Sequence, residues 1–377
     1  MLIACIISCV KNIQRVEVVL VSFMLSISIV GTVGVPACYG GFESLVDNLL
    51  DHTPPSVRYT VFCSSKTYPT PLESYKGARL EYVGLNANGI SSIPYDIISL
   101  WKSRRADIVL ILGVSGCLFL PIFRLFHSGK IITNIDGLEW RRDKWNGLAR
   151  FILRTSERMA VAFSDVVVAD NRGIVDHVLS AYGRTARLIA YGGDHAIPVE
   201  DDSLYERYPF CRKPYAVSVC RIEPENNIHH ILDAFSKMPD NRLVLVGNWS
   251  RSPYGQGLRS QFSGYGNIHL LDPIYEPHAI NWLRSNAALY VHGHSAGGTN
   301  PSLVEAMCLG LPILTFDCVY NRATTEGGCL YWKDAKDLQA LLHTSEEKMQ
   351  EMGAVMLEKG QALYAWERIA SQYHELY

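Results

Sequence analysis

The sequence lacks the short signatures that would place it at once in a class of metalloprotein or hydrolase. None of its ten cysteines belongs to a C-x-x-C pair, which disfavours a zinc site and a disulfide framework and favours buried, reduced thiols. The motifs D-x-D, H-E-x-x-H and G-x-S-x-G are also absent. We therefore expect neither a metal-bound nucleotide nor the chemistry of a zinc protease or an α/β-hydrolase.

The sequence also lacks a large net charge of either sign, and it lacks long apolar runs. A net charge of -2 gives no overall field for binding nucleic acid. No apolar stretch reaches the ~20 residues of a membrane-spanning helix. Residues 1–23 lack the basic start of a signal peptide, and we expect them to be an extension outside the fold. A short membrane-associating segment is the alternative for those residues.

What the sequence does contain is a regular alternation of apolar, strand-length runs and helical patterns. Examples of the runs are DIVLILG (107–113) in the first half and RLVLVG (242–247) in the second. Continuous apolar strands separated by helices predict parallel sheets covered on both faces. The alternation lapses only in the proline-containing segment 196–214. We predict two doubly wound α/β domains, 24–195 and 215–360, joined by that linker and facing a cleft.

A glycine-rich loop lies between the first predicted strand and the first helix. The stretch GTVGVPACYGGFESLVDNLL ends in an apolar stripe at helical spacing. Helix N-termini favour anions and sugar hydroxyls, and bare backbone allows a ligand to approach closely. The spacing is not G-x-G-x-x-G and no Walker lysine follows, which disfavours a dinucleotide or ATP. A tight turn alone explains part of the loop, but we expect a ligand beside Gly31, Gly34, Tyr39, Gly40 and Gly41.

A second bare loop precedes a helix in HGHSAGGTNPSLVEAMCLGLP, residues 292–312. Asn300 is a good N-cap, and Pro301 suits the first helical position. One turn further, Glu305 can accept hydrogen bonds from ribose hydroxyls, although a favourable first-turn charge would also explain it. The backbone N–H groups at the start of this helix are expected to face phosphate. The expected donor-binding residues are Gly297, Gly298, Thr299, Asn300, Ser302, Leu303 and His294.

Two further candidates follow predicted strands, where ligands bind in parallel sheets. The planar guanidinium of Arg221 suits a diphosphate, although a surface ion pair with a neighbouring glutamate is equally consistent with this stretch. Asp136 is followed by Glu139 and Trp140, a carboxylate and an aromatic ring that together suit the hydroxyls and faces of a sugar. We expect Glu139 and Trp140 on the acceptor side.

Taken in chain order, these four stretches resemble the GT-B glycosyltransferases of family 4. More narrowly, they resemble a bacterial rhamnosyltransferase subgroup whose first domain opens with GTxGxPAxYGGFE. The resemblance runs from about Met24 to the C-terminus and includes NIDGLEWRRDKW, YGGDH, RIEPENN, HSAGGTNPSLVEAM and YAWERIASQY. It implies two Rossmann-like domains, with a nucleotide sugar bound mainly by the second and an acceptor mainly by the first. It also implies that a terminal helix, within 361–377, crosses back onto the first domain.

The resemblance also implies retaining transfer that needs no metal or other cofactor. Arg221 and the helix from Pro301 would meet the donor phosphates, Glu305 would contact the ring sugar of the nucleotide, and Asp136 would position the sugar or acceptor. The sequence departs from the family at Gly297, where a glutamate is usual, and at Asn226, where a lysine is usual. We interpret this as adaptation to a deoxysugar donor.

The function that follows is transfer of a deoxyhexose, most simply rhamnose from dTDP-rhamnose, to a lipid-linked saccharide in surface polysaccharide assembly. The expected location is cytoplasmic, peripheral to the inner face of the membrane. The basic runs LWKSRR (100–105) and RRDKW (141–145) would contact lipid phosphate there, although a solvated face is the commoner meaning of such runs. A nucleotide-sugar 2-epimerase and an inactive nucleotide-sugar-binding subunit are the alternatives.

Overall fold

The computed structural model describes residues 24–38, 40–138, 140 and 147–377. The predicted N-terminal extension and the candidates Tyr39 and Glu139 lie outside these residues.

The first domain is built on one mostly parallel sheet. Its strands are β1 (Leu25–Val30), β2 (Val57–Ser64), β3 (Ser74–Tyr75), β4 (Ala78–Val83), β5 (Ile108–Leu112), β6 (Lys130–Asn134), β7 (Val166–Ala169) and β8 (Arg187–Leu188). The strand order is β3-β4-β2-β1-β5-β6-β7-β8, and only the β3–β4 pair is antiparallel. In the register of the central pair, Ile27 faces Ile108. All five residues of β5 are buried, as expected of a strand covered on both faces.

Helices cover the two faces of this sheet. They are α1 (Gly41–Asp51), α2 (Ser92–Lys102), α3 (Leu120–Phe123), α4 (Gly147–Phe163) and α5 (Arg172–Tyr182). The apolar stripe of α1, which includes Leu45 and Leu49, is buried against one face. Tyr95 and Leu100 of α2 are buried against the other. The sheet therefore has a separate apolar core on each side.

The second domain repeats the plan with six parallel strands. They are β9 (Ala216–Val219), β10 (Leu243–Val246), β11 (Ile268–Leu271), β12 (Leu289–His292), β13 (Ile313–Phe316) and β14 (Leu330–Trp332), in the order β11-β10-β9-β12-β13-β14. The helices are α6 (Leu204–Arg207), α7 (Ile228–Ser236), α8 (Pro253–Phe262), α9 (Pro277–Ser285), α10 (Pro301–Cys308), α11 (Val319–Thr324), α12 (Ala335–Leu341) and α13 (Glu346–Leu363). Tyr208 and Cys211, from the segment between the domains, pack into this second core.

The last helix, α14 (Trp366–His374), lies against the first domain. Trp366 and Tyr373 belong to the core beneath α1 and β1. The Nδ2 of Asn134 donates a hydrogen bond to the hydroxyl of Tyr373 at 2.8 Å. The chain thus leaves the first domain once and returns to it at its end.

Within the described part of the chain, no helix is long and apolar enough to cross a bilayer. No group of three or more His, Cys, Asp or Glu side chains in that part is arranged to hold a metal ion. The eight cysteines among these residues, from Cys38 to Cys329, are all free thiols.

Candidate functional site between the two domains

The carboxyl ends of both sheets face each other. A Cβ atom built on Gly137, which follows β6, would lie 2.6 Å from the Cα of Gly297, which follows β12. One built on Gly41, at the start of α1, would lie 3.5 Å from the ring of Pro301. The two glycine-bearing loops, one from each domain, therefore lie on opposite walls of one crevice.

The first-domain loop owes its shape to glycines and to one buried glutamate. Gly31, Gly34 and Gly40 all have positive φ angles, of 89°, 132° and 108°, which other residues rarely adopt. The Oε1 of Glu43 accepts hydrogen bonds from the Thr32 hydroxyl at 2.9 Å and from the Val33 N–H at 2.8 Å. Burial raises the pKa of this carboxyl above its ordinary value, against the opposing effect of these hydrogen bonds. Glu43 is absent from the sequence-based candidates, although its place beside YGG in the first turn is a usable signal.

Asp136 lies at the crevice in an unusual conformation. Its φ is 60°, uncommon for a residue with a side chain, and its N–H donates to the Oδ1 of Asn134 at 3.0 Å. Strain of this kind concentrates at functional sites. The predicted candidate is therefore held beside Gly137, at the point where the two domains touch.

A second carboxylate, Asp170, lies close to Asp136 and was missed by the sequence analysis. Burial, followed by the charge of Asp136, raises its pKa well above the ordinary value. Its Oδ1 is buried without a hydrogen-bond partner and lies against Gly298. The signal that was available is the position of Asp170 at the end of the strand run DVVVAD. Asp170 is therefore a buried carboxyl beside the glycine loop that follows β12.

The Thr299 side chain forms a hydrogen bond between the two domains. Its hydroxyl donates to the backbone carbonyl of Asp170 at 2.5 Å. The Nδ2 of Asn171, also in the first domain, donates to the Tyr320 carbonyl at 3.1 Å and to the Thr324 hydroxyl at 3.1 Å. These contacts join the carboxyl end of β7 to α10 and α11, so Thr299 lines the junction.

The start of α10 is capped by Asn300. Asn300 caps the helix as predicted, and its Oδ1 accepts from the Ser302 N–H at 3.0 Å. The Leu303 N–H donates to the Asn300 carbonyl at 3.0 Å, and the Leu303 side chain is in the core. In this structure the cap engages both N–H groups, and a phosphate contact at this helix start stays a prediction. A phosphate would have to displace the Asn300 side chain.

Glu305 is buried, and each of its carboxylate oxygens faces a partner side chain. Its Oε2 forms an ion pair with Arg284 of α9, and its Oε1 accepts from His195 Nε2 at 3.0 Å. Burial alone would raise the pKa of Glu305, but Arg284 and His195 outweigh it and the pKa is lowered. The simple interpretation of Glu305 as a first-turn helix charge is therefore incomplete. The carboxylate is ionised and fixed in orientation at the crevice wall.

A hydrogen-bond chain links Glu305 to the return crossing of the polypeptide. The Trp366 indole N–H donates to His195 Nδ1 at 2.9 Å, which leaves the Nε2 proton of His195 for Glu305. The Trp366 backbone N–H donates to Asp194 Oδ1 at 2.9 Å. A Cβ on Gly193 would lie 2.6 Å from the Val304 carbonyl. The segment YGGDH (191–195) therefore packs against α10 and against the start of α14, where the chain returns to the first domain.

Arg221 follows β9 on the second-domain wall, where it is half-buried. Its carbonyl accepts from the Nδ2 of buried Asn226 at 2.7 Å, and Asn226 Oδ1 bonds His294 Nδ1 at 2.7 Å. Asn226 therefore ties the arginine loop to the glycine loop after β12. Neighbouring His292 is buried, which lowers its pKa to about 3 and keeps it neutral.

Trp140 lies further along the first-domain wall. Its indole N–H donates to Glu157 Oε2 at 2.8 Å, and Glu157 also bonds His177 at 2.9 Å.

A cavity of about 170 Å³ lies between the domains, and Thr299 is the one predicted site residue in its lining.

The fold is that of the GT-B glycosyltransferases, in which two parallel-sheet α/β domains face a cleft. Sucrose-phosphate synthase from Thermosynechococcus elongatus aligns with a TM-score of 0.79 and 17% identity, over 94% of this chain and 98% of that one. HepE from Anabaena, in complex with UDP-glucose, aligns with a TM-score of 0.74 and 13% identity, over 94% and 99% of the two chains.

The two domains match different families in sequence. Residues 208–346 match the family described as glycosyl transferases group 1. Residues 24–194 match a domain of unknown function, DUF1972. No curated protein matches the chain in sequence.

Proposed function

We propose that this protein is a retaining glycosyltransferase that moves a deoxyhexose from a nucleotide sugar, most simply rhamnose from dTDP-rhamnose. The acceptor in this proposal is a lipid-linked saccharide in surface polysaccharide assembly, at the inner face of the cytoplasmic membrane. The group 1 match of the second domain supports glycosyl transfer. HepE, of the same fold, was solved with UDP-glucose, which supports a nucleotide-sugar donor.

The observation that carries the proposal is the contact of Gly137 with Gly297 across the crevice. Glycine at both positions brings the two walls close to each other, and Gly297 has a φ of 99° that a glutamate would not readily adopt. The glutamate that is usual in the family that this chain resembles would therefore be strained in this loop conformation. A donor held here would contact backbone where related enzymes present a carboxylate, which suits a sugar with fewer hydroxyls.

The chemistry assigned to the residues is stabilisation of the leaving diphosphate. The bond from the anomeric carbon to the phosphate oxygen breaks, and a bond to the acceptor oxygen forms on the same face. The acceptor proton passes to a phosphate oxygen. In this scheme Arg221 and the start of α10 stabilise the growing negative charge. Removing one such hydrogen-bond donor from an enzyme typically lowers kcat by roughly 10²–10³-fold. Asp136 positions the sugar or acceptor.

The test is a transfer assay with the purified full chain, a lipid-linked saccharide acceptor and a panel of labelled nucleotide sugars. The proposal predicts acceptor-dependent release of dTDP and an anomeric configuration, read by NMR, that matches the donor. Conversion of the nucleotide sugar without acceptor would instead indicate a 2-epimerase. Binding without turnover of any donor would indicate an inactive subunit.

A further inference from the structure

One flank of the first domain exposes large apolar side chains from neighbouring elements. Leu125 is 78% exposed and Phe126 is 56% exposed, values far above those of core residues. Two more residues come from the outer side of α2, and two from the turn and short helix at 117–123. The set, which we call the α2–α3 face, is Ile98, Trp101, Leu118, Ile122, Leu125 and Phe126.

Aromatic contacts join α2 to the turns on either side of α3. The ring of Trp101 lies 5.2 Å from that of Phe126 and 6.5 Å from that of Phe119. The Arg104 guanidinium lies over the Trp101 ring at 5.0 Å. Contiguous exposed patches of this kind mark interaction sites, whereas single exposed apolar residues do not.

Basic side chains outnumber acidic ones in the chain segment that forms the face. Residues 97–135 contain five basic side chains and a single acid, Asp107. The Asp107 carboxylate accepts from the N–H and hydroxyl of Ser26, at 2.9 Å and 2.6 Å. Lys102 lies 3.7 Å from Glu81, and Arg124 is paired with Asp165. Among the described residues, no ion pair engages Arg104 or Arg105.

Helix α4 packs against the turn at 117–119 and adds further exposed apolar and basic side chains. Its exposed side presents Leu148 and Phe151, followed by Arg154 and Arg158. Its one acid, Glu157, is buried and hydrogen-bonded to Trp140. Apolar and aromatic side chains with basic groups at their rim are the pattern of surfaces that lie in the headgroup region of a bilayer.

We propose that the α2–α3 face docks the protein on an anionic lipid bilayer. The loop that follows β5 starts at the carboxyl end of the first sheet and reaches Leu118 a few residues later, so the face begins near the first-domain wall. A saccharide attached to a lipid would thereby reach the crevice while its lipid stays in the bilayer. This last step rests on the proposed function, but the docking itself rests on the surface alone.

The experiment is flotation of the full chain with vesicles of phosphatidylcholine alone or of equimolar phosphatidylcholine and phosphatidylglycerol. The test variants are Leu125→Ser with Phe126→Ser, and Arg105→Glu. Matched controls are Val355→Ser and Lys213→Glu, exposed in or near the second domain. We expect binding only to the anionic vesicles. The apolar double change should weaken it at least about tenfold, and the charge reversal roughly tenfold and less at high salt.

Each outcome is informative separately from glycosyl transfer. Equal flotation of the test and control variants, or no flotation of the parent chain, would overturn the docking face. So would a dimer that the apolar double change converts to a monomer without altering flotation. Transfer to a soluble acceptor analogue, assayed in parallel, reports on the proposed function and is expected to be unchanged in these variants.

Discussion

At the residue scale, Arg221 is the side chain on which turnover should depend most. Its place after β9 lets a guanidinium meet the donor diphosphate, and Arg221→Ala should lower kcat by roughly 10²–10³-fold. The melting temperature should stay within the range of the parent, because the side chain is not part of the core. The matched control is Arg259→Ala, a half-buried arginine of the same domain that pairs with Asp272. Equal turnover of the two variants would remove Arg221 from the mechanism.

Glu305 requires a more careful test, because it has a structural role as well. Glu305→Ala leaves the buried Arg284 guanidinium without its counter-charge, so we expect the free energy of unfolding to fall by about 3–5 kcal/mol. Replacing both Glu305 and Arg284 by leucine should restore much of that stability, which chemical denaturation would measure. If donor affinity stays low in the stable double variant, the carboxylate contacts the donor. If affinity returns with stability, its role is structural alone.

Asp96 gives a prediction for pH dependence. This α2 carboxyl is buried, which raises its pKa from 3.8 to about 7, against a hydrogen bond of 2.5 Å from the Ser115 hydroxyl. Because the folded state holds the proton more tightly, the stabilisation is full below the unfolded pKa and is lost as the pH rises through about 7. Asp96→Asn should remove this decline, so the parent and variant should differ in the slope of unfolding free energy against pH. Parallel slopes would contradict the assignment.

The sequence predicted residues whose roles are local and missed those whose roles depend on distant partners. Asn300 was predicted as an N-cap because capping depends on the residues that follow it. Asp170 and Glu43 were missed because their burial depends on loops that are far apart in the chain. The phosphate contact expected at Ser302 and Leu303 stays a prediction, and the pattern does not show that the Asn300 cap already engages both N–H groups.

At the element scale, the close contact of Gly137 and Gly297 should control how far the two walls approach. A methyl group on Gly137 would lie 2.6 Å from the Gly297 Cα, so Gly137→Ala should force the loops apart. We expect a higher KM for the donor and a lower kcat, with little loss of stability because the loops are not core. The control is Gly147→Ala, where a Cβ would meet nothing within 4 Å. Unchanged kinetics in Gly137→Ala would show that the contact is not needed.

Most strands and helices follow from apolar periodicity, and the exceptions have physical causes. The apolar run ARLIAYG (186–192) forms a strand only at Arg187–Leu188, because it lies at the sheet edge and then turns into the domain crossing. Helix α8 was not predicted, because Gly255 and Gly257 give its sequence the character of a loop. It is stabilised instead by the Ser252 cap and by burial of Leu258 and Phe262. The segment 333–377, which has a helical pattern throughout, forms the three helices α12, α13 and α14.

At the scale of the whole molecule, the two-domain arrangement could be predicted from the repeated alternation and the lapse at 196–214. The contacts that set the domains against each other could not, since they are made by single side chains. Asn171 and Thr299 belong to different domains and bond at 3.4 Å, and Trp366 and His195 join the crossing to α10. These pairings depend on how the two folded domains are placed against each other, which a sequence pattern does not show.

The central claim is that glycine-bearing loops from both domains form one nucleotide-sugar site that needs no metal. The most direct measurement is transfer of labelled rhamnose from dTDP-rhamnose to a lipid-linked acceptor by the purified chain, with and without a chelator. The account predicts equal rates in both conditions, and loss of transfer in Arg221→Ala. Transfer that stops when the chelator is added would contradict it.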